Sequence, residues 1–258
     1  MKKIIKTISL LFVFALVLIS CKKDLPIAGF SLSSLDLVRW DSTTITSTAT
    51  SAEETTYVVA GGEYEMLDAT TIQFLEVAAY TITQTATNED GTDETSLTVN
   101  VTAPDNKYVL DGTETAITTN AYWHDASGMG GTVYVRILIN ISGQDNPNLI
   151  KLYPVAGPNP LQATYTYSDT GDIGTYDVGM TKNYAGMSYD WTTSGDGGDD
   201  FVITLVYEDP TDSDDNIYEL SLPSYTLNYG QWDFGSGTFI SDGTKSFTIS
   251  YRGKIDPV

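Results

Sequence analysis

Cysteine occurs once in 258 residues, at position 21, and histidine once, at position 124. A single cysteine forms no intrachain disulfide, and it cannot build a multi-cysteine metal cage. One histidine excludes histidine-rich zinc sites. It leaves a serine-histidine-acid triad only His124, and no Gly-x-Ser-x-Gly elbow accompanies it. His124 beside Asp125 therefore reads as a loop residue. Basic residues are also scarce, at 13 Lys and Arg against 34 Asp and Glu, for a net charge of −21. Such a balance repels phosphate, which disfavours nucleic acid and anionic lipid surfaces as partners, and no nucleic acid is expected. Helical periodicity is missing as well. Beyond the first 20 residues no run carries apolar residues at i, i+3, i+4 and i+7.

The N-terminus has what the rest lacks. Lys2, Lys3 and Lys6 precede an apolar run of about a dozen residues, Ile8 to Ile19, which has the length of a secretory signal core and is short of the roughly 20 residues a spanning helix needs. The run ends Leu18-Ile19-Ser20-Cys21. This resembles the lipobox of bacterial lipoproteins, and the chain is similar in style to lipoproteins of the Bacteroidetes. The resemblance implies removal of residues 1–20 and lipidation of Cys21. Several acyl chains hold a protein durably where one does so only marginally. The mature chain would then have no free thiol. Residues 21–25 would be a lipidated tether on a membrane partner. Cleavage removes three lysines and no acid, leaving 10 basic against 34 acidic residues, a net −24. Lys22 after the cysteine favours the outer membrane, with cell surface and periplasmic face both open.

What remains alternates with period two. In "TVYVRILINI" (132–141) Val133, Val135, Ile137, Ile139 and Ile141 share a face, and "FVITLVY" (201–207) and "SFTISY" (246–251) follow suit. The fold class expected is all-β. Three Asp-Gly-Thr tripeptides, at 90–92, 111–113 and 242–244, read as hairpin turns, since Asp-Gly supplies the positive φ they require.

Two domains are expected. Residues 26–103 open with Pro26-x-Ala28-x-Phe30 and close with Tyr80, Ile82, an Asn88-x-x-Gly91 turn and the alternating Leu97, Val99 and Val101. This resembles the PKD family of immunoglobulin-like β-sandwiches. It departs from that family in having "YVVAGGE" (57–63) at the family's central motif and Ala79 before the tyrosine. The resemblance implies a spacer or interaction module. Residues 104–106 read as a linker. Residues 107–258 hold about ten strand-like segments and read as a larger antiparallel β-sandwich or jelly-roll-like domain, with a closed barrel as the alternative. "QWDFGSGTF" (231–239) matches the PKD signature, but too few residues follow it for that placement, so it reads as a hairpin.

The candidate ligand-binding residues are aromatic. Trp123, Trp191 and Trp232, with Tyr189 and Tyr229 close in sequence, all fall in the second domain. Aromatic faces stack on sugar rings, although the same residues also fill β cores. Two acidic stretches are candidate calcium sites: Asp196, Asp199 and Asp200 in "GDGGDD" (195–200), and Asp212, Asp214 and Asp215 in "EDPTDSDDN" (208–216). Both also read as solvated loops at the ends of strand 201–207. No other cofactor and no catalytic residue is indicated. The expectation is a non-catalytic outer-membrane lipoprotein with a PKD-like stalk and a binding domain whose ligand is a glycan. The alternatives are a structural or assembly subunit bound to another envelope protein, and a small glycoside hydrolase using two of the 34 acids.

Overall fold

Threonine, valine, isoleucine and tyrosine fit a pleated, half-buried surface, and the protein is all-β, with an immunoglobulin-like type of β-sandwich architecture. The computed structural model describes residues 24–125, 135–139, 148–152, 162–167, 175–182, 190–233 and 235–257. The chain divides into two compact units, Met1–Ala103 and Pro104–Val258.

The first unit has eight strands: β1 (Phe30–Leu32), β2 (Asp36–Val38), β3 (Ser42–Ser47), β4 (Glu54–Ala60), β5 (Tyr64–Met66), β6 (Thr71–Phe74), β7 (Ala79–Asn88) and β8 (Gly91–Thr102). They form two four-stranded sheets, ordered β1-β3-β6-β5 and β2-β8-β7-β4. Ile45, Ile72 and Phe74 of the first sheet pack with Tyr80, Ile82, Val99 and Val101 of the second in one buried cluster. The sequence "AYTITQTATN" makes β7 the organiser. Its even positions face inward, so Tyr80, Ile82, Gln84, Ala86 and Asn88 are all buried.

Two of those inward residues are polar and must find partners inside. Gln84 Oε1 accepts from Gly29 N at 2.7 Å, and its Nε2 donates to Ser47 Oγ at 2.9 Å and Tyr57 OH at 2.8 Å. One amide thus ties β7 to β3 in the opposite sheet and to the segment leading into β1. Asn88 Oδ1 accepts from Asp90 N and Gly91 N and closes the β7–β8 turn. Its Nδ2 donates to Asp24 O at 2.8 Å and Ser51 O at 2.6 Å. Tyr80 OH lies 2.7 Å from Glu63 O and 3.0 Å from Glu76 O, and burial raises its pKa. A Cβ on Gly62 would come within 2.9 Å of that hydroxyl.

The second unit contains β9 (Lys107–Leu110), β10 (Thr113–Ala116), β11 (Ala121–Asp125), β12 (Val135–Ile139), β13 (Asn148–Leu152), β14 (Ala163–Tyr167), β15 (Thr175–Lys182), β16 (Asp190–Gly198), β17 (Phe201–Tyr207), β18 (Ile217–Asp233) and β19 (Thr238–Pro257). Their order is β10-β9-β19-β11-β12-β13-β15-β14-β17-β18-β16, and β18 also pairs with β19. The pairing therefore returns on itself, a barrel-like closure. One cluster fills the interior, including Ile137, Tyr165, Phe201, Leu220, Phe247 and Tyr251.

Several local expectations change. Of the three Asp-Gly-Thr tripeptides, only Asp111-Gly112 is the expected two-residue turn, with φ of 51° and 78° between the paired Leu110 and Thr113. At 90–92 the turn falls one residue earlier, on Glu89 and Asp90, because the Asn88 side chain caps it. At 242–244 the register steps from Tyr229↔Gly243 to Gly230↔Ser241, so Asp242 is the extra residue of a β-bulge within β19. Asn106, read as linker, belongs to the second unit's framework. It accepts from Arg252 N at 2.7 Å and donates to Arg252 O at 3.0 Å. His124 lies in β11 opposite Arg136 rather than in a loop.

Gln84→Leu keeps the volume of the side chain but strands the amide of Gly29 and the two hydroxyls. It is expected to cost about 1–3 kcal/mol. Urea denaturation of the mature chain, compared with wild type, checks this.

Candidate functional site

Cys21 and Tyr189 lie outside the described residues. The aromatic candidates that are described do not form one group. Trp123 lies in β11 opposite Ile137, and its side chain packs against the interior cluster of the second unit. It is a core residue on that face. For Trp191, Tyr229 and Trp232 the backbone alone is described, and it brings two of them together. Trp191 of β16 sits directly opposite Gly230 of β18, and Trp232 lies two residues further along β18. Period-two alternation puts positions 191, 230 and 232 on one face, with Trp191 and Trp232 as diagonal neighbours. Tyr229 pairs with Thr192 on the other face. Glycine adds no side chain between the two tryptophan positions. Ser241, the β19 partner of Gly230, is exposed.

The sequence stretch "QWDFGSGTF" is the turn that carries this region. Trp232 pairs with Phe239 and Asp233 with Thr238. Asp233 Oδ1 accepts from Gly235 N at 2.9 Å, and its Oδ2 accepts from Ser236 Oγ at 2.6 Å. The Ser236 bond, then that of Gly235, lowers the pKa of Asp233. This acid serves the turn.

Of the acidic candidates, Asp212 and Asp215 are taken up by local structure. "GDGGDD" is largely strand, since β16 runs through Gly198 and leaves Asp199 and Asp200 as the exposed connection to β17. For Asp196 the backbone alone is described. In the second stretch, Asp209 Oδ1 accepts from Thr211 Oγ1 at 2.6 Å, Thr211 N at 2.8 Å and Asp212 N at 3.1 Å. The Thr211 bonds lower its pKa. Asp212 caps a short 3-10 turn, Ser213–Asp215, by accepting from Asp214 N. Asp215 is ion-paired with Lys254, whose pKa it raises. Asp214 is exposed. Among the described residues no three His, Cys, Asp or Glu side chains converge to hold a metal ion.

The strongest polar node of the second unit was not a candidate. Tyr251 is buried; its hydroxyl donates to Lys254 O at 2.6 Å and accepts from Ala121 N at 3.0 Å. A Cβ at position 253 would stand 2.5 Å from that oxygen, which accounts for the glycine in Tyr251-Arg252-Gly253. Burial pushes the phenol up to about 12, and Tyr165 likewise. Cross-strand from Glu219, Arg252 holds that carboxylate at 2.6 Å. These groups fix β19 against β11 and β18.

No protein-family model matches the chain, and no curated protein matches it.

Two outcomes are expected. Calcium could take Asp215 only by displacing Lys254, so melting temperatures in excess calcium and in chelator should agree. A rise with calcium would assign the loop a cation. Tyr251→Phe should cost about 1–3 kcal/mol at neutral pH by leaving Ala121 N unpaired. The same tyrosine gives a pH dependence. Its folded pKa of about 12 lies above the unfolded value near 10, so its stabilisation is full below pH 10 and is lost as pH rises toward 12. Urea melts at pH 8 and 11 should show wild type losing more stability over that interval than the phenylalanine variant.

Proposed function

We propose that this protein is a non-catalytic lipoprotein of the outer membrane, with the first unit as a PKD-like spacer and the second as a glycan-binding module. The observation that carries the spacer role is where the chain enters and leaves the first unit. Asp24 is bonded to Asn88, and Leu25 lies beside Gly91, at the start of β8. The chain leaves after Thr102, at the other end of the same strand. Twelve residues of strand span about 40 Å. A unit threaded end to end in this way holds its point of exit away from its anchor. A lipid anchor at Cys21 would supply the membrane end.

The glycan reading is supported by the juxtaposition of Trp191 and Trp232 across Gly230. Two diagonally neighbouring aromatic positions beside a bare backbone position suit a flat sugar ring. The test is a glycan array probed with residues 22–258. Specific binding should fall at least tenfold in Trp191→Ala and in Trp232→Ala, both measured on protein with a wild-type melting profile. Trp123→Ala is unsuitable, because that side chain packs on the core.

A second reading has its own observation. β5 is an edge strand, and Tyr64, Met66 and the adjoining Leu67 are exposed there. An open apolar edge suits another envelope protein. A blank array with folded protein, together with a crosslink from position 66 in cells, would favour this reading.

A further inference from the structure

The first unit takes up the chain close in sequence to the proposed lipid site. Two residues, Lys22 and Lys23, lie between Cys21 and Asp24, a reach of at most about 11 Å. From Asp24 onward the segment is stitched to one end of the first unit. Asn88 Nδ2 donates to Asp24 O, and Ile27 and Thr50 exchange backbone bonds at 2.9 and 3.0 Å. Ala28 N donates to Asp93 Oδ2 at 2.8 Å, and Pro26 is buried. No flexible stretch intervenes between Asp24 and the sandwich.

Leu25 and Ile27 occupy this end of the unit and stay 64% and 62% exposed. They flank the buried Pro26, so they are not spare core residues. Lys22 and Lys23 precede them. The surrounding groups are acidic: Asp24, Glu53, Glu89, Asp90 and Asp93. Like charge makes an anionic surface, of protein or of lipid, a poor partner for such an end when it must be found by diffusion. A short covalent tether does not depend on charge attraction, because it fixes a high effective concentration of the one surface it is anchored in.

We infer that Leu25 and Ile27 form a membrane-contact edge, and that the end of the first unit bearing the β7–β8 turn rests on the bilayer surface. The inference builds on the lipoprotein reading and adds a docking face to it. Leu25 and Ile27 follow Cys21 by four and six residues, a reach of at most about 14 and 22 Å, which keeps both apolar side chains near the boundary between headgroups and hydrocarbon, where burying them is favourable. β7 and β8 then run away from the membrane, and the chain leaves the unit at the far end.

The experiment uses the full chain, produced with its signal sequence, purified in detergent and reconstituted into phosphatidylethanolamine–phosphatidylglycerol vesicles. Once Cys21 is acylated no thiol remains, so single cysteines can be introduced at exposed sites: Thr50→Cys and Glu89→Cys at the proposed contact end, Asn100→Cys at the far end. Each is labelled with a fluorophore, and quenching by lipids carrying a headgroup nitroxide is measured. At least half the emission should be lost at positions 50 and 89, with little change at 100. A Leu25→Ser, Ile27→Ser double variant should lose most of that difference, and its melting temperature, read in the same sample, reports folding. Equal quenching at the three positions, with the acyl mass at Cys21 confirmed by mass spectrometry, overturns the contact and leaves the lipoprotein standing. Absence of the acyl mass overturns both.

Discussion

The amide of Gln84 is the interaction on which the first unit depends. The two sheets of a small sandwich are held by apolar contact, which is non-directional and sets no register between them. Gln84 adds direction. Its oxygen and nitrogen reach Gly29, Ser47 and Tyr57 from the middle of β7, so the opposite sheet can seat in one position only. Asn88 performs the same service at the end of that strand, where it closes a turn and fastens the incoming chain. With a single cysteine in the whole sequence, buried amides supply the cross-links that a disulfide supplies elsewhere.

The second unit solves a similar problem with two long strands. β18 and β19 run side by side for most of their length, and each also pairs with other strands along different stretches. Such strands must bend, and the bulge at Asp242 and the register shift after Leu222 are where they do. Tyr251 and Asn106 then fix β19 to its neighbours. The same long hairpin carries Trp232 past β16, so the candidate ligand face is a by-product of how the body closes.

Much of this was legible in the residues. Alternation identified the strand around Ile137 and the strands at 201–207 and 246–251, because a period of two is a property of the local sequence. The hairpin at Asp233 was legible from how few residues follow "QWDFGSGTF". The acidic stretches read equally well as cation sites or as loops. Only the partners separate the two, and for Asp212 and Asp215 these partners are a turn amide and Lys254. Trp123 looked like a third member of an aromatic site, yet its strand turns it toward the core.

By itself the sequence determined the all-β class, the lack of any disulfide and the acidic character, since each arises from composition or local period. It also carries, in contiguous residues, the segment Leu18-Ile19-Ser20-Cys21 on which the lipoprotein proposal rests. Tertiary structure alone decided that Gln84 and Asn88 are bonded inside, that Asp242 is a bulge and not a turn, and that positions 191 and 232 are diagonal neighbours on paired strands. Each of these depends on register between strands far apart in sequence. Register is set by how the whole sheet packs, and no local stretch of residues contains it.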